Sequence, residues 1–231
     1  MKNRIISTGI VLARTDFQEA DRILTLLTPD HGKLRVIAKG VRRQRSKLAG
    51  GIELFSVSDI TVLPSRGELG TLISTRLQTH YASIVKDINR TMLGYDLLKR
   101  MNKLTEDAAG EEYFKLLKAA FEGLNNLELQ IDLVELWFTM QLLKVTGHAP
   151  DLKTDDAGMQ LEASKIYLFD FDAMAFKQQD VGPYQANHIK LMRLGYGTDS
   201  PEILKQVVGA GTLAPDVLSL TKNILKLHVR V

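Results

Sequence analysis

Residues 32–51 read GKLRVIAKGVRRQRSKLAGG. The first half alternates, with Leu34, Val36 and Ala38 on one side and Lys33, Arg35, Ile37 and Lys39 on the other. A period of two is the mark of a half-buried strand. The second half loses the alternation and lies between glycines, which predicts an exposed loop. The stretch holds seven cations, Lys33, Arg35, Lys39, Arg42, Arg43, Arg45 and Lys47, and no acid. Like charges crowded together repel one another, so such a cluster points to a polyanionic partner. Each Lys or Arg that meets a phosphate also releases a condensed counterion, which needs charge rather than a special geometry. The competing reading is a solvated loop kept soluble by its charge.

Outward from this stretch, the first eighty residues read as five short strands, at 5–12, 22–28, 33–39, 54–63 and 70–79. A bulge is expected at Gly9. Pro29, Asp30, His31 and Gly32 form one turn, because Pro fixes φ and Gly accepts a positive one. Pro64, Ser65, Arg66 and Gly67 form another. Five strands with one long basic connection suit a small closed barrel of the OB type, with a sandwich fragment as the alternative. Phe17 and Phe55 are the only Phe or Trp residues in the first eighty. Both are expected in the core, so the cationic track lacks the aromatics that single-strand platforms use.

Beyond His80 the apolar spacing becomes helical, over 87–105, 111–124 and 128–146, with Gly147 as a stop before Pro150. Residues 151–182 interrupt the helices with two or three small strands, at 160–162, 166–171 and 175–178. Helices resume at 185–194, 201–208 and 216–229, with Ser200 as a cap and Pro201 at a first helical position. The expected architecture is α+β and multidomain. Residues 1–80 form a five-stranded OB-type nucleic-acid-binding barrel, and 81–231 form a helical domain with a small cysteine-free β insert near 151–182.

Charge divides along the same line. Residues 1–80 hold 13 Lys and Arg against 7 Asp and Glu, and the remainder holds 17 against 20. The 231 residues are 45% hydrophobic, enough to fill a core, and contain no cysteine, which removes disulfides, thiolate metal sites and cysteine nucleophiles. No secretory signal or membrane-length apolar run is read, so the expected compartment is the cytoplasm. The five histidines, His31, His80, His148, His188 and His228, are not spaced as ligands, and no metal or other cofactor is expected. Asp151, Asp155, Asp156, Asp170 and Asp172 are read as turn and strand-end residues rather than a cation site. No phosphate-binding glycine loop or nucleophile elbow is found, and the chain is not expected to be an enzyme.

Four spaced blocks carry a family resemblance: Thr8 to Leu12, Glu19 to Thr28, Gly32 to Arg43, and Ser46-Lys47-Leu48, with Gly147 to Leu152 further on. Together they resemble the bacterial recombination mediator RecO. The resemblance implies an OB-fold followed by a helical domain. It also implies binding of single- and double-stranded DNA, annealing of complementary strands, and loading of RecA with RecR on DNA coated by SSB. It places the protein in the cytoplasm with the nucleoid. Many members of that family carry a four-cysteine zinc site in the insert; this sequence does not, so no metal is carried over.

On that reading the cationic track holds DNA, and the helical domain holds proteins. Lys86, Arg90, Lys99, Arg100 and Lys103 lie on or beside one helix and would rim a groove for the acidic, aromatic-ended SSB tail. Trp137 on the most apolar helix is expected in the core. An OB-fold RNA-binding factor and a non-catalytic protein-interaction module remain the alternatives, with a metal-dependent nuclease more remote.

Overall fold

The computed structural model describes residues 4–105 and 110–229. By compactness the chain divides into two units, Met1–Asn125 and Asn126–Val231, so the first two helices group with the barrel.

Five strands build the barrel: β1 (Ile5–Phe17), β2 (Asp21–Thr28), β3 (Gly32–Ala38), β4 (Ser56–Leu63) and β5 (Leu69–His80). The sheet closes in the order β1-β2-β3-β5-β4 and back to β1. Every pairing is antiparallel except β3 with β5. This is the OB-type closed barrel expected from the strand count. Its interior is filled by Val11, Leu24, Leu26, Val36, Ala38, Ile60, Val62 and Leu72. Burying side chains of this size contributes about 1.5–3 kcal/mol each for the larger ones. The alternation in β3 holds: Val36 and Ala38 are fully buried, while Arg35 and Lys39 are exposed. The turn before β3 stands where it was expected. Thr28 Oγ1 accepts from the His31 N–H and donates to the Gly32 carbonyl, and Gly32 takes φ 60°.

The bulge of β1 lies between Val11 and Ala13, not at Gly9. Gly9 lies close against β4: a Cβ there would sit 3.2 Å from Ile60 Cδ1, a tight contact that the Ile60 side chain would have to ease. β1 also runs five residues past its expected end. Residues 13–17 pair with 21–25, yet Arg14 to Phe17 are all exposed. With both faces of this arm in water, there is no apolar alternation for the sequence to show.

Helices α1 (Ile88–Leu104) and α2 (Glu111–Asn125) belong to the first unit. Asp87 caps α1 by accepting from the Arg90 N–H. Phe55 lies at the centre of an aromatic group, with ring centroids 5.3 Å from Tyr95 and 5.5 Å from Phe121. Gly94 makes room for it, since a Cβ would fall 2.7 Å from Phe55 Cε1. Phe55 is buried as expected, and its φ of 56° is unusual for a non-glycine residue.

The second unit holds α3 (Ile131–Val145), β6 (Ile166–Asp170), β7 (Ala175–Gln179), α4 (Ala186–Gly197) and α5 (Ala210–His228). Trp137 is buried and donates from Nε1 to the Thr198 carbonyl at 3.0 Å. Gly147 ends the helical run with φ 78°, letting His148 N–H reach the Leu143 carbonyl at 2.7 Å.

Three expectations for this unit are corrected. Residues 160–162 form no strand; Gln160 makes only an isolated bridge to Thr154. Residues Pro201–Gln206 are a short 3-10 helix, capped by Ser200 as expected. Helix α5 starts at Ala210 and carries Pro215 inside it, rather than starting after that proline. Pro215 is the sixth residue of this helix, past the donors that lack partners at a helix start, so it removes one backbone hydrogen bond, and burial of Ala210, Ala214 and Val217 holds the segment in place.

Candidate nucleic-acid interface

The connection from β3 to β4 is a loop pinned at its ends and free at its middle. Val41 and Ile52 are buried in the barrel core, and Leu48 and Ala49 pack against it. Gly40 turns the chain with φ 63° and donates its N–H to Asp21 Oδ1 at 2.7 Å. Arg42 N–H bonds to the Ala20 carbonyl at 2.9 Å, Arg43 N–H to Gly40 at 3.1 Å, and Ser46 N–H to Arg43 at 3.0 Å. A 3-10 turn over Ala49–Gly51 closes the loop. The apolar residues are pulled inward, which leaves Arg42, Arg43, Arg45 and Lys47 exposed.

The seven cations have different surroundings. Arg35, Lys39, Arg43, Arg45 and Lys47 are exposed, and among the described residues none has a carboxylate within ion-pair distance. Arg42 lies 3.5 Å from Asp16, whose other oxygen accepts from Arg22 at 2.7 Å. The Arg22 hydrogen bond, aided by the charges of Arg42, Arg22 and Arg14, holds the Asp16 carboxyl below the usual carboxylate range. Asp16 is therefore ionised at neutral pH and engages part of Arg42's charge. Lys33 is half-buried and turned away from solvent. Its Nζ donates to the Asn102 carbonyl at 3.1 Å and to the Thr105 carbonyl, where α1 ends. A cation against the last carbonyls of a helix favours the macrodipole.

The candidates on and beside α1 also separate. Lys86, Lys99 and Lys103 are exposed. Arg90 is buried and donates from Nη1 to the Leu124 carbonyl at 2.8 Å, and Arg100 pairs with Asp96 at 2.6 Å. On the face of Lys99 and Lys103, Ile88, Met92 and Tyr95 are exposed at helical spacing, with Val85 just before the helix.

Sequence reasoning missed two features of the barrel end. Phe17 is not in the core; it is 39% exposed at the β1–β2 hairpin. Arg14 and Arg22 reach the same region, where Arg14 pairs with Glu53 at 3.2 Å and Arg22 with Asp16. Arg14 on β1 and Arg22 on β2 sit in a hairpin arm without apolar alternation, which gave no signal.

In the second unit the acidic residues act as turn acceptors. Asp155 Oδ1 accepts from Ala157 and Met159 N–H, and Asp170 Oδ1 accepts from Asp172 and Ala173. His148 and His228 stack with centroids 5.3 Å apart, a pairing that spacing could not show. Among the described residues no group of three or more His, Cys, Asp or Glu could hold a metal, and no helix is long and apolar enough to cross a membrane.

The fold and this site together define an OB-barrel protein with a cationic rim. Residues 1–81 match the family described as Recombination protein O N terminal. DNA repair protein RecO of Dehalococcoides mccartyi is 27% identical over 224 residues, 94% of this chain and 87% of the relative. DNA repair protein RecO of Streptomyces coelicolor is 36% identical over 151 residues, 62% of this chain and 60% of that protein. The protein of the same name from Trichodesmium erythraeum is 33% identical over 143 residues, 62% of this chain and 48% of the relative. The last two matches thus span about half to three-fifths of the relatives' own length. The chain is similar to RecO proteins, in residues 1–81 to the family's N-terminal part and over most of its length to the Dehalococcoides relative.

Proposed function

We propose that this protein is a non-enzymatic mediator of recombination in DNA repair. Five exposed cations, Arg35 on β3 and Lys39, Arg43, Arg45 and Lys47 on the loop whose ends are fixed in the barrel core, have no carboxylate partner among the described residues and carry this reading. Similarity to DNA repair proteins supports the role and favours DNA as the polyanion. Residues 1–80 hold single and double strands by their phosphates, through Arg35, Lys39, Arg43, Arg45 and Lys47, with Arg42 contributing once Asp16 releases it. Lys33, spent on the end of α1, contributes least. Neutralised phosphates repel less, so one cationic rim can bring two complementary strands together. Annealing, and loading of RecA with RecR on SSB-coated DNA at the nucleoid, follow in this proposal.

Residues 81–231 serve protein contacts. Val85, Ile88, Met92 and Tyr95 form an exposed apolar stripe that runs into Lys99 and Lys103. That order suits an acidic peptide with an apolar end, such as an SSB tail. Arg90 and Arg100 would support α1 rather than touch the peptide.

The test is a fluorescence titration of Arg43→Glu/Arg45→Glu/Lys47→Glu against single- and double-stranded oligonucleotides over a range of salt. Affinity falls alike for all sequences, and the salt slope flattens by roughly 0.9 for each duplex phosphate that is no longer neutralised. Wild-type affinity and slope in the triple variant would overturn the assignment. A matched RNA oligonucleotide bound more tightly than DNA would overturn the choice of polymer.

A further inference from the structure

The barrel has one exposed phenyl ring, at the tip of a hairpin that is bonded to the base of the cationic loop. Phe17 ends β1, and residues 18–20 link it to β2, with Gln18 turning the chain at φ 52°. Phe17 and Phe55 are the only Phe, Tyr or Trp residues in 1–80, and Phe55 is buried. The hairpin tip is fixed to the base of the cationic loop at three points. Ala20 carbonyl accepts from Arg42 N–H at 2.9 Å, and Asp21 Oδ1 accepts from Gly40 N–H at 2.7 Å. Asp16, the residue before Phe17, holds the Arg42 guanidinium at 3.5 Å.

A lone exposed apolar side chain is ordinary on a protein surface. This one is set apart by its position. Single-strand sites join a positive track for the backbone to an aromatic face on which a base stacks. Unpaired bases offer both faces, whereas bases inside a duplex are already stacked on their neighbours. Phosphate contacts alone do not distinguish the two forms.

We propose that Phe17 is a stacking platform for an unpaired base at the end of the phosphate track. The ring makes the rim favour single strands, which the cations alone would not do. This rests on the phosphate-binding reading above and adds a specificity residue to it.

The test uses the full chain with Phe17→Ala, Phe17→Leu and Phe17→Trp. The probes are a single-stranded oligonucleotide, a duplex of equal length, and a single strand in which abasic sites replace the bases. In Phe17→Ala, single-strand affinity falls roughly thirtyfold, the middle of the range for one stacked base, with the salt slope unchanged. Duplex and abasic affinities stay at wild type. Phe17→Leu keeps the apolar bulk without the π face and falls with Phe17→Ala. Phe17→Trp retains affinity, and its added emission, measured against the wild-type Trp137 background, is quenched by the single strand and not by the abasic one.

Equal decreases for all three probes, no decrease at all, or full affinity in Phe17→Leu would overturn the proposal. Circular dichroism and thermal melting of each variant separate these outcomes from misfolding. The ring is already partly in water, so the folded state is expected to persist. The two readings fail differently. If the Glu triple variant abolishes binding while Phe17→Ala is silent, only stacking is wrong. If the triple variant is silent, the phosphate track itself is wrong.

Discussion

Two adjacent glycines in the cationic loop have different tasks. A Cβ on Gly51 would collide with the Thr75 hydroxyl of β5, whereas one on Gly50 would meet nothing within 4 Å. Gly51→Ala should therefore cost about 1–3 kcal/mol of stability as strand β5 or the loop shifts, with Gly50→Ala near neutral. Urea denaturation of both variants checks this; equal midpoints would show that the loop gives way freely. Neighbouring cations differ for a similar reason. Lys33 and Arg35 both point outward from β3, but Lys33 meets the Asn102 and Thr105 carbonyls while Arg35 meets solvent. Their alternation was legible in the sequence. The fate of each charge was not, because it depends on residues about seventy positions away.

At the scale of an element, the β6–β7 hairpin shows how a small insert without cysteines stays folded. Phe176 is fully buried, and its ring lies 5.3 Å from Phe169, 5.6 Å from Tyr184 and 6.2 Å from Tyr167. Tyr167 also bonds through its backbone to Tyr184, at 2.9 and 3.2 Å. These edge-on contacts add about 0.5–1.5 kcal/mol per pair beyond burial. Phe176→Ala should cost about 3–5 kcal/mol and loosen the hairpin. Amide exchange would show weakened protection over residues 166–179, while a chelator leaves the wild-type pattern unchanged. Chelator-induced exchange there would mean that a metal, not the rings, holds the insert. The strands at 166–171 and 175–178 were readable from their β-rich composition. The third strand at 160–162 was not real, since three residues carry too little period to separate a strand from an isolated bridge.

For the whole molecule, alkaline pH should be destabilising in both compact units. Burial, with the Glu122 charge adding to it, pushes the Tyr81 phenol up to about 12 in the first unit, and burial raises Tyr196 in the second. A phenol with a raised folded pKa keeps its proton while the unfolded chain loses its own. Stability is then unaffected below the unfolded value near 10 and falls as pH rises from there toward 12. Denaturant midpoints measured from roughly pH 8 to pH 11.5 should decline through this window. Tyr81→Phe should soften the decline, and since the Tyr81 hydroxyl has no partner among the described residues, it should cost little at neutral pH. An unchanged slope in Tyr81→Phe would remove that phenol from the account.

Short-range order in the chain was enough to set out the barrel, its turns, the acid-free loop and the main helices. Periodicity, proline, glycine and charge act over a few residues, so they can be read without a partner. Tertiary structure alone decided which cations stay free, since Lys33 and Arg90 are claimed by distant carbonyls. It also put Phe17 in water, stacked His148 on His228, and made Gly51 rather than Gly50 the costly glycine to replace. Each of these depends on what lies across space, and closure of the chain chooses that neighbour, not the residues on either side.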